Sequence, residues 1–177
     1  MAYTVIRTDL MSGTKQPADL VSLRFVEAST EEGKTVYTEK EVENGVIVKL
    51  LGYEDGQREV MRAVAASATD DLNDCAIVAG VEVMYDERKK NLDEFINEAG
   101  KATRGYIPRS RNMFSVTKEG FVNAAPPAAV GTAVGIGANG KISTSVASGA
   151  TTLGEVVAIE TAGRYTYYTI RIGKTEA

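Results

Sequence analysis

From Gly120 to Gly154 the chain carries one charged residue, Lys141, and consists mostly of Ala, Gly, Ser and Thr. Small side chains each bury little apolar area, so such a stretch cannot supply a bulky helical core. Its glycines and the Pro126-Pro127 pair also interrupt helices. What it can build is thin-walled β structure or exposed loop. The same interruptions argue against a membrane helix, which needs roughly 18 or more consecutive apolar residues.

The rest of the chain repeats the β theme. Leu20 to Val26 reads as a first strand, and Gly45 to Leu51 follows an Asn44-Gly45 turn. Asp55-Gly56 marks another turn before the alternating run Arg58 to Ala65. Cys75 to Val83 is an apolar run, the pattern of a buried strand. Met113 to Thr117 is a further short strand. The strongest hairpin signal is Glu155 to Glu160 against Arg164 to Ile172, across Thr161-Ala162-Gly163. In its second strand Tyr165, Tyr167, Thr169 and Arg171 share one face and Thr166, Tyr168, Ile170 and Ile172 the other.

Two segments depart from this pattern. Leu92, Phe95, Ile96 and Ala99 fall at helical spacing with Gly100 after them, which predicts one short α-helix within 87–99. Residues 1–19 carry the turn-rich run Met11 to Pro17 and no core periodicity, which predicts an extended N-terminal arm. The β-branched and aromatic residues Tyr3, Val5 and Ile6 suit that arm to adding a strand to a neighbouring sheet. The expected organisation is an arm, 1–19, and a single mostly-β domain, 20–177.

Composition narrows the chemistry. Among 177 residues there is no histidine and one cysteine, Cys75. Ser-His-Asp, Cys-His and His-zinc sites are therefore excluded, and no disulfide can form within the chain. A lone thiol fits a reducing compartment, and a chain this long needs no bridge to bury a core. The first ten residues lack the basic and then apolar pattern of a secretory signal, so none is expected. The net charge is −4, from 24 acids and 20 bases, without the basic excess of a general nucleic-acid binder.

Three motifs remain. Gly135-Ile-Gly-Ala-Asn-Gly140 fits a dinucleotide fingerprint in letters, but that fingerprint needs a helix after it to hold the pyrophosphate. Lys141 to Val146 alternates like a strand instead, and Asn139-Gly140 is the usual two-residue hairpin turn. The near match to a P-loop fails at Ile142, where a hydroxyl is required for Mg²⁺. Asp70, Asp71 and Asp74, with Asp86-Glu87, are the carboxylates from which a metal site or an acid/base pair would be built. Asp and Asn in Thr69 to Asp74 fit a solvated turn better, and the calcium-loop pattern is absent. Lys101, Arg104, Arg109 and Arg111 surround Tyr106, a mixture suited to a protein interface or to single-stranded nucleic acid. The acidic total favours the protein. No catalytic, cofactor or metal residue is expected.

Tyr85 to Tyr106 with Phe114-Ser-Val-Thr117 resembles small structural proteins of tailed bacteriophages and prophages. Ala2 to Gly13 and Gly163-Arg-Tyr-Thr-Tyr-Tyr168 are similar to the same group, so the likeness touches both ends and the middle. Gly154 to Ile159 resembles a strand of the head-decoration, or cement, proteins. That resemblance implies a small β-barrel or β-tulip-like body and no catalytic residues. It implies a virion protein that binds the outer capsid surface, bridges major capsid protein subunits and is assembled in the bacterial cytoplasm. A homo-oligomer, a trimer at threefold points, would be the form; a phage tail or baseplate component is the alternative. No membrane and no specific nucleic acid are expected as partners. The expected contact residues are Tyr3, Val5, Ile6, Arg104, Tyr106 and Arg109.

Overall fold

A computed structural model describes residues 2–6, 19–82 and 92–173. The chain is mainly β. Its strands are β1 (Leu20–Glu31), β2 (Lys34–Glu39), β3 (Ile47–Tyr53), β4 (Val60–Ala65), β5 (Cys75–Val78), β6 (Thr103–Tyr106), β7 (Met113–Val116), β8 (Ala133–Ile136), β9 (Ile142–Ser143), β10 (Thr152–Ala162) and β11 (Tyr165–Ile172).

The first half closes into a five-stranded barrel in the order β1-β4-β3-β5-β6 and back to β1. All the pairings are antiparallel except β1 with β4, where Ser22 faces Val60 and Phe25 faces Ala63 in parallel register. Closure removes free edges from the ring. Beyond Phe25 the strand β1 leaves the ring and pairs only with β2, from Val26 opposite Glu39 to Glu31 opposite Lys34. The two form a projecting hairpin whose residues are nearly all exposed. Glu32 and Gly33 close it with φ of 49° and 77°, the double positive φ of a type I′ turn.

The second half is a sheet in the order β7-β11-β10-β8-β9. A parallel bridge between Ile142 and Phe121 ties its far strand to the chain just after β7, so the sheet curls back on itself. The Gly120 to Gly154 stretch supplies the thin wall its composition calls for. Phe121, Val134, Ile136, Ile142 and Leu153 are its large buried side chains.

The two halves share a wall. Along β5 every residue is buried, but alternate side chains serve different cores. Ala76 and Val78 point into the first barrel with Leu23, Val48 and Ala63. Cys75 and Ile77 point outward, into the core built by Phe114, Phe121, Leu153, Val156 and Ile170. On β3 Ile47 and Val48 divide in the same way. This is why Cys75 to Val78 shows no polar alternation: both faces are dry. The Asn139-Gly140 hairpin turn also joins the halves. Both residues have positive φ, and a Cβ on Gly140 would lie 2.1 Å from the Ile47 carbonyl oxygen.

Two expectations need correction. The α-helix within 87–99 is, among the described residues, one 3₁₀ turn, Leu92–Glu94. Helical spacing is overridden because the Asn97 backbone pairs with Val42, N–H to C=O in both directions at 3.0 Å. The portion 87–91 lies outside the described residues. The second correction concerns the start of the chain. Val5 and Ile6 are each 1% exposed. Ile6 bridges Val116 at the edge of β7, the Val5 N–H donates to Thr117 Oγ1, and Thr117 N–H donates to the Val5 carbonyl. Thr4 donates from N and Oγ1 to Glu43 Oε2, at 3.0 and 2.9 Å, and Lys141 Nζ meets the same carboxylate at 3.3 Å. Thr4 to Ile6 are therefore a buried segment of this chain, held to the edge of β7 by a single bridge, and not a free arm. Residues 7–18 of the expected arm lie outside the described residues.

Candidate functional site

The expected contact residues do not form one surface. Val5 and Ile6 are internal, and Tyr3 is half-buried with its N–H on the Asp93 carbonyl. Tyr106 is half-buried against the larger core. Arg109 is exposed, but its Nε is paired with Asp19 at 2.8 Å. Lys101 pairs with Glu98 at 2.6 Å. Arg111 sits at φ 73°, in a turn whose N–H reaches the Ile172 carbonyl. Surface pairs of this kind add little energy, but they neutralise the charge a partner would read.

Arg104 is different. It lies on the outer face of β6 beside Ser22 of β1, exposed and without an ion pair among the described residues. Strand closure brings it into an open groove of about 430 Å³ lined by Leu20, Tyr53, Arg58, Glu59 and Met61. Leu20 is 44% and Tyr53 60% exposed. The barrel thus gathers two guanidiniums and a tyrosine, the residue types that carry most binding energy in protein interfaces, beside Leu20, Met61 and Glu59. The grouping escapes a linear reading because Leu20 and Arg104 are distant in sequence from Tyr53 and Arg58. The β3–β4 hairpin sets Tyr53 near Arg58, and the parallel β1–β4 pairing and the β1–β6 closure bring Leu20 and Arg104 to them.

The carboxylates at 70–74 are engaged in local structure. Asp70 accepts from Lys49 Nζ at 2.6 Å and from Ser67 N and Oγ at 2.7 and 2.9 Å. Burial pushes the Asp70 carboxyl up, but Lys49 and the two Ser67 donors outweigh it and hold it below its ordinary value. The Lys49 ammonium is raised in turn, chiefly by its hydrogen bond to Asp70. Asp71 caps the 3₁₀ turn Leu72–Asp74 by accepting from Asn73 N. Among the described residues no three potential ligands gather around a metal position. Asp86 and Glu87 lie outside the described residues. Gly135 to Gly140 runs from β8 into a hairpin turn, with Gly137 N–H on the Lys141 carbonyl, and β9 follows. No helix N-terminus is there to receive a pyrophosphate.

Cys75 is fully buried, and burial pushes its thiol up to about 11. That is the signature of a packing residue, since a reactive cysteine needs an accessible thiolate.

No protein-family model, no curated protein and no solved structure matches this chain.

Proposed function

We propose that this chain is a virion structural protein that decorates a bacteriophage capsid and stabilises it by bridging major capsid protein subunits. The resemblance of Tyr85 to Tyr106, and of both chain ends, to small phage structural proteins supplies the class. The observation that supports a binding role is the groove of Leu20, Tyr53, Arg58, Met61 and Arg104 on the wall of a closed barrel. Its backbone is fixed by strand pairing on both sides of β1, so little order remains to be lost on binding. Tyr and Arg then supply contact area and charge-assisted hydrogen bonds across a subunit boundary.

A protein that binds only the assembled shell shifts the equilibrium toward that shell by mass action. Threefold points of a capsid would call for a trimer, since symmetric sites favour symmetric occupants.

The test is to purify particles and measure this polypeptide's copy number on heads against the major capsid subunit. A fixed ratio on heads, and heads that rupture at lower temperature without it, are the expected results. Its recovery only on tails or baseplates would assign it there instead, and its absence from mature particles would end the proposal. The variants Tyr53→Ala and Arg104→Ala are expected to weaken head binding by about tenfold or more each, the range of interface anchor residues.

A further inference from the structure

The projecting hairpin leaves a strand edge open. Among the described residues nothing pairs with the outer edge of β2. Lys34-Thr-Val-Tyr-Thr-Glu39 is rich in strand-forming residues, contains no proline, and is exposed at every position except the half-buried Val36. Natural edge strands are usually blunted by proline, bulges or covering segments. This one has none of them across its six residues, and its only charges, Lys34 and Glu39, stand at its two ends.

The register says which groups are free. In a two-residue type I′ hairpin the residues flanking the turn, Glu31 and Lys34, exchange hydrogen bonds, and such pairs then recur at every second position. Lys34, Val36 and Thr38 therefore direct their N–H and C=O toward β1. Thr35, Tyr37 and Glu39 direct theirs away from it. Tyr37 is further fixed by the Arg62 guanidinium, 5.2 Å above its ring.

Charge selects the occupant. Residues 27–41 hold five acids, Glu27, Glu31, Glu32, Glu39 and Glu41, and two bases, Lys34 and Lys40. The hairpin thus carries a net −3 of the chain's −4. Glu27 pairs with Lys40 and Glu39 approaches Arg24, but Glu31, Glu32 and Glu41 have no ion pair among the described residues. β2 itself is neutral, with Lys34 and Glu39 at its two ends, so what opposes self-pairing is the rest of the hairpin, whose Glu31, Glu32 and Glu41 a second copy would double within about a Debye length. We propose that the free edge of β2 takes an extended, basic segment of a partner protein as an added antiparallel or parallel strand. Backbone hydrogen bonds to Thr35, Tyr37 and Glu39 give the affinity, and Lys or Arg side chains beside Glu39 and within about a Debye length of Glu31, Glu32 and Glu41 give the selectivity.

The test uses the full chain, isotope-labelled, and two blocked ten-residue peptides. In one, lysine alternates with threonine and valine; in the other, glutamate replaces lysine. The expected result is that the lysine peptide shifts and protects the Thr35, Tyr37 and Glu39 amides. Its binding should fall about tenfold or more between low and high salt, as screened charge pairs require. Thr35→Pro removes an outward N–H without breaking the β1–β2 ladder, and it should abolish binding with the fold intact by circular dichroism. Thr30→Pro blocks the opposite edge of the hairpin and should leave binding unchanged. No shift at these amides, equal binding of the glutamate peptide, retention in Thr35→Pro, or dimerisation of the chain through β2 would each overturn the proposal.

Discussion

The Asn97 side chain donates from Nδ2 to Asn44 Oδ1 at 2.9 Å, joining the chain before β6 to the loop that enters β3. The same Nδ2 donates to the Val42 carbonyl at 3.0 Å, and Thr103 Oγ1 donates to Asn97 Oδ1 at 2.6 Å. Asn44 in turn accepts from Gly80 N–H at 2.8 Å and donates to the Gly80 carbonyl at 3.1 Å. Three segments of the first barrel are thereby held by two buried carboxamides with every partner supplied, the condition under which a buried polar network is tolerated.

That network predicts a stability effect larger than a surface change would give. Asn97→Ala leaves buried groups without partners and should cost about 1–3 kcal/mol for each polar group orphaned. Gly80→Ala should be at least as damaging, because its Cβ would lie 2.1 Å from Asn97 Oδ1 and 2.5 Å from Thr103 Oγ1. Urea unfolding curves of both variants measure this; values within the noise of the wild type would refute it.

The inner position of Ile6 gives a second prediction. Ile6→Ala should destabilise the fold by about 2–5 kcal/mol, the range for truncating a buried aliphatic side chain. Removing residues 1–6 should also expose the β7 edge and raise amide exchange at Thr117, whose N–H donates to the Val5 carbonyl. A dangling arm would leave both the melting temperature and the exchange rates unchanged.

Acid should weaken the Lys49–Asp70–Ser67 contact. The folded-state value of Asp70 is lowered, so its stabilisation is complete above the unfolded value, about 3.9. It is lost as pH falls through the still lower folded value. The stability difference between wild type and Asp70→Asn should therefore be constant near neutrality and shrink below about pH 4. A difference that stays flat down to pH 2 would contradict the assignment. Lys49 has the opposite sign: its raised value places its contribution below the unfolded lysine value, with loss only in strong alkali.

Cys75 should resist thiol reagents. With the thiol raised to about 11 by burial, the native protein at pH 8 should react with a disulfide reagent only as fast as it unfolds. In denaturant the reaction should finish at the rate of a free thiol. Because the folded value lies above the unfolded one, stability should also decline as pH rises from about 8.5 toward 11. Rapid labelling of the native protein would show an opening of β5 that its packing does not predict.

Much of the β framework is legible along the chain. Arg58 to Ala65, Met113 to Thr117 and the terminal hairpin fall on β4, β7 and the β10–β11 pair, because period-two alternation and turn residues are local signals. The terminal turn lies slightly later than expected, at Gly163-Arg164, since Ala162 pairs with Tyr165. Lys34–Glu39 is a strand without a counterpart in the expected set, although Gly33 and the run Thr-Val-Tyr-Thr mark it. The expected helix near Phe95 is the instructive failure. Its apolar spacing is real, but Asn97 gains more from Val42, Asn44 and Thr103 than from its own turn.

The candidate site was less legible. Arg104 is visible in a linear scan as one of four nearby cations, yet nothing local separates it from Arg109, whose charge Asp19 neutralises. Leu20, Tyr53 and Arg58 carry no signal at all until the barrel closes.

What the sequence alone determines is composition-level chemistry and local conformation. The absence of histidine, the small-residue wall of Gly120 to Gly154 and the positive-φ turns at Gly33 and Gly140 belong to it, because each depends on a residue and its nearest neighbours. What only the tertiary structure decides is which strands meet. Ser22 lies beside both Val60 and Arg104, and Ile6 is buried against Val116 instead of lying in an arm. Those pairings join residues tens of positions apart, and they are selected by which arrangement buries both faces of β5 and of the Ile47-Val48 start of β3, a condition no single segment can express.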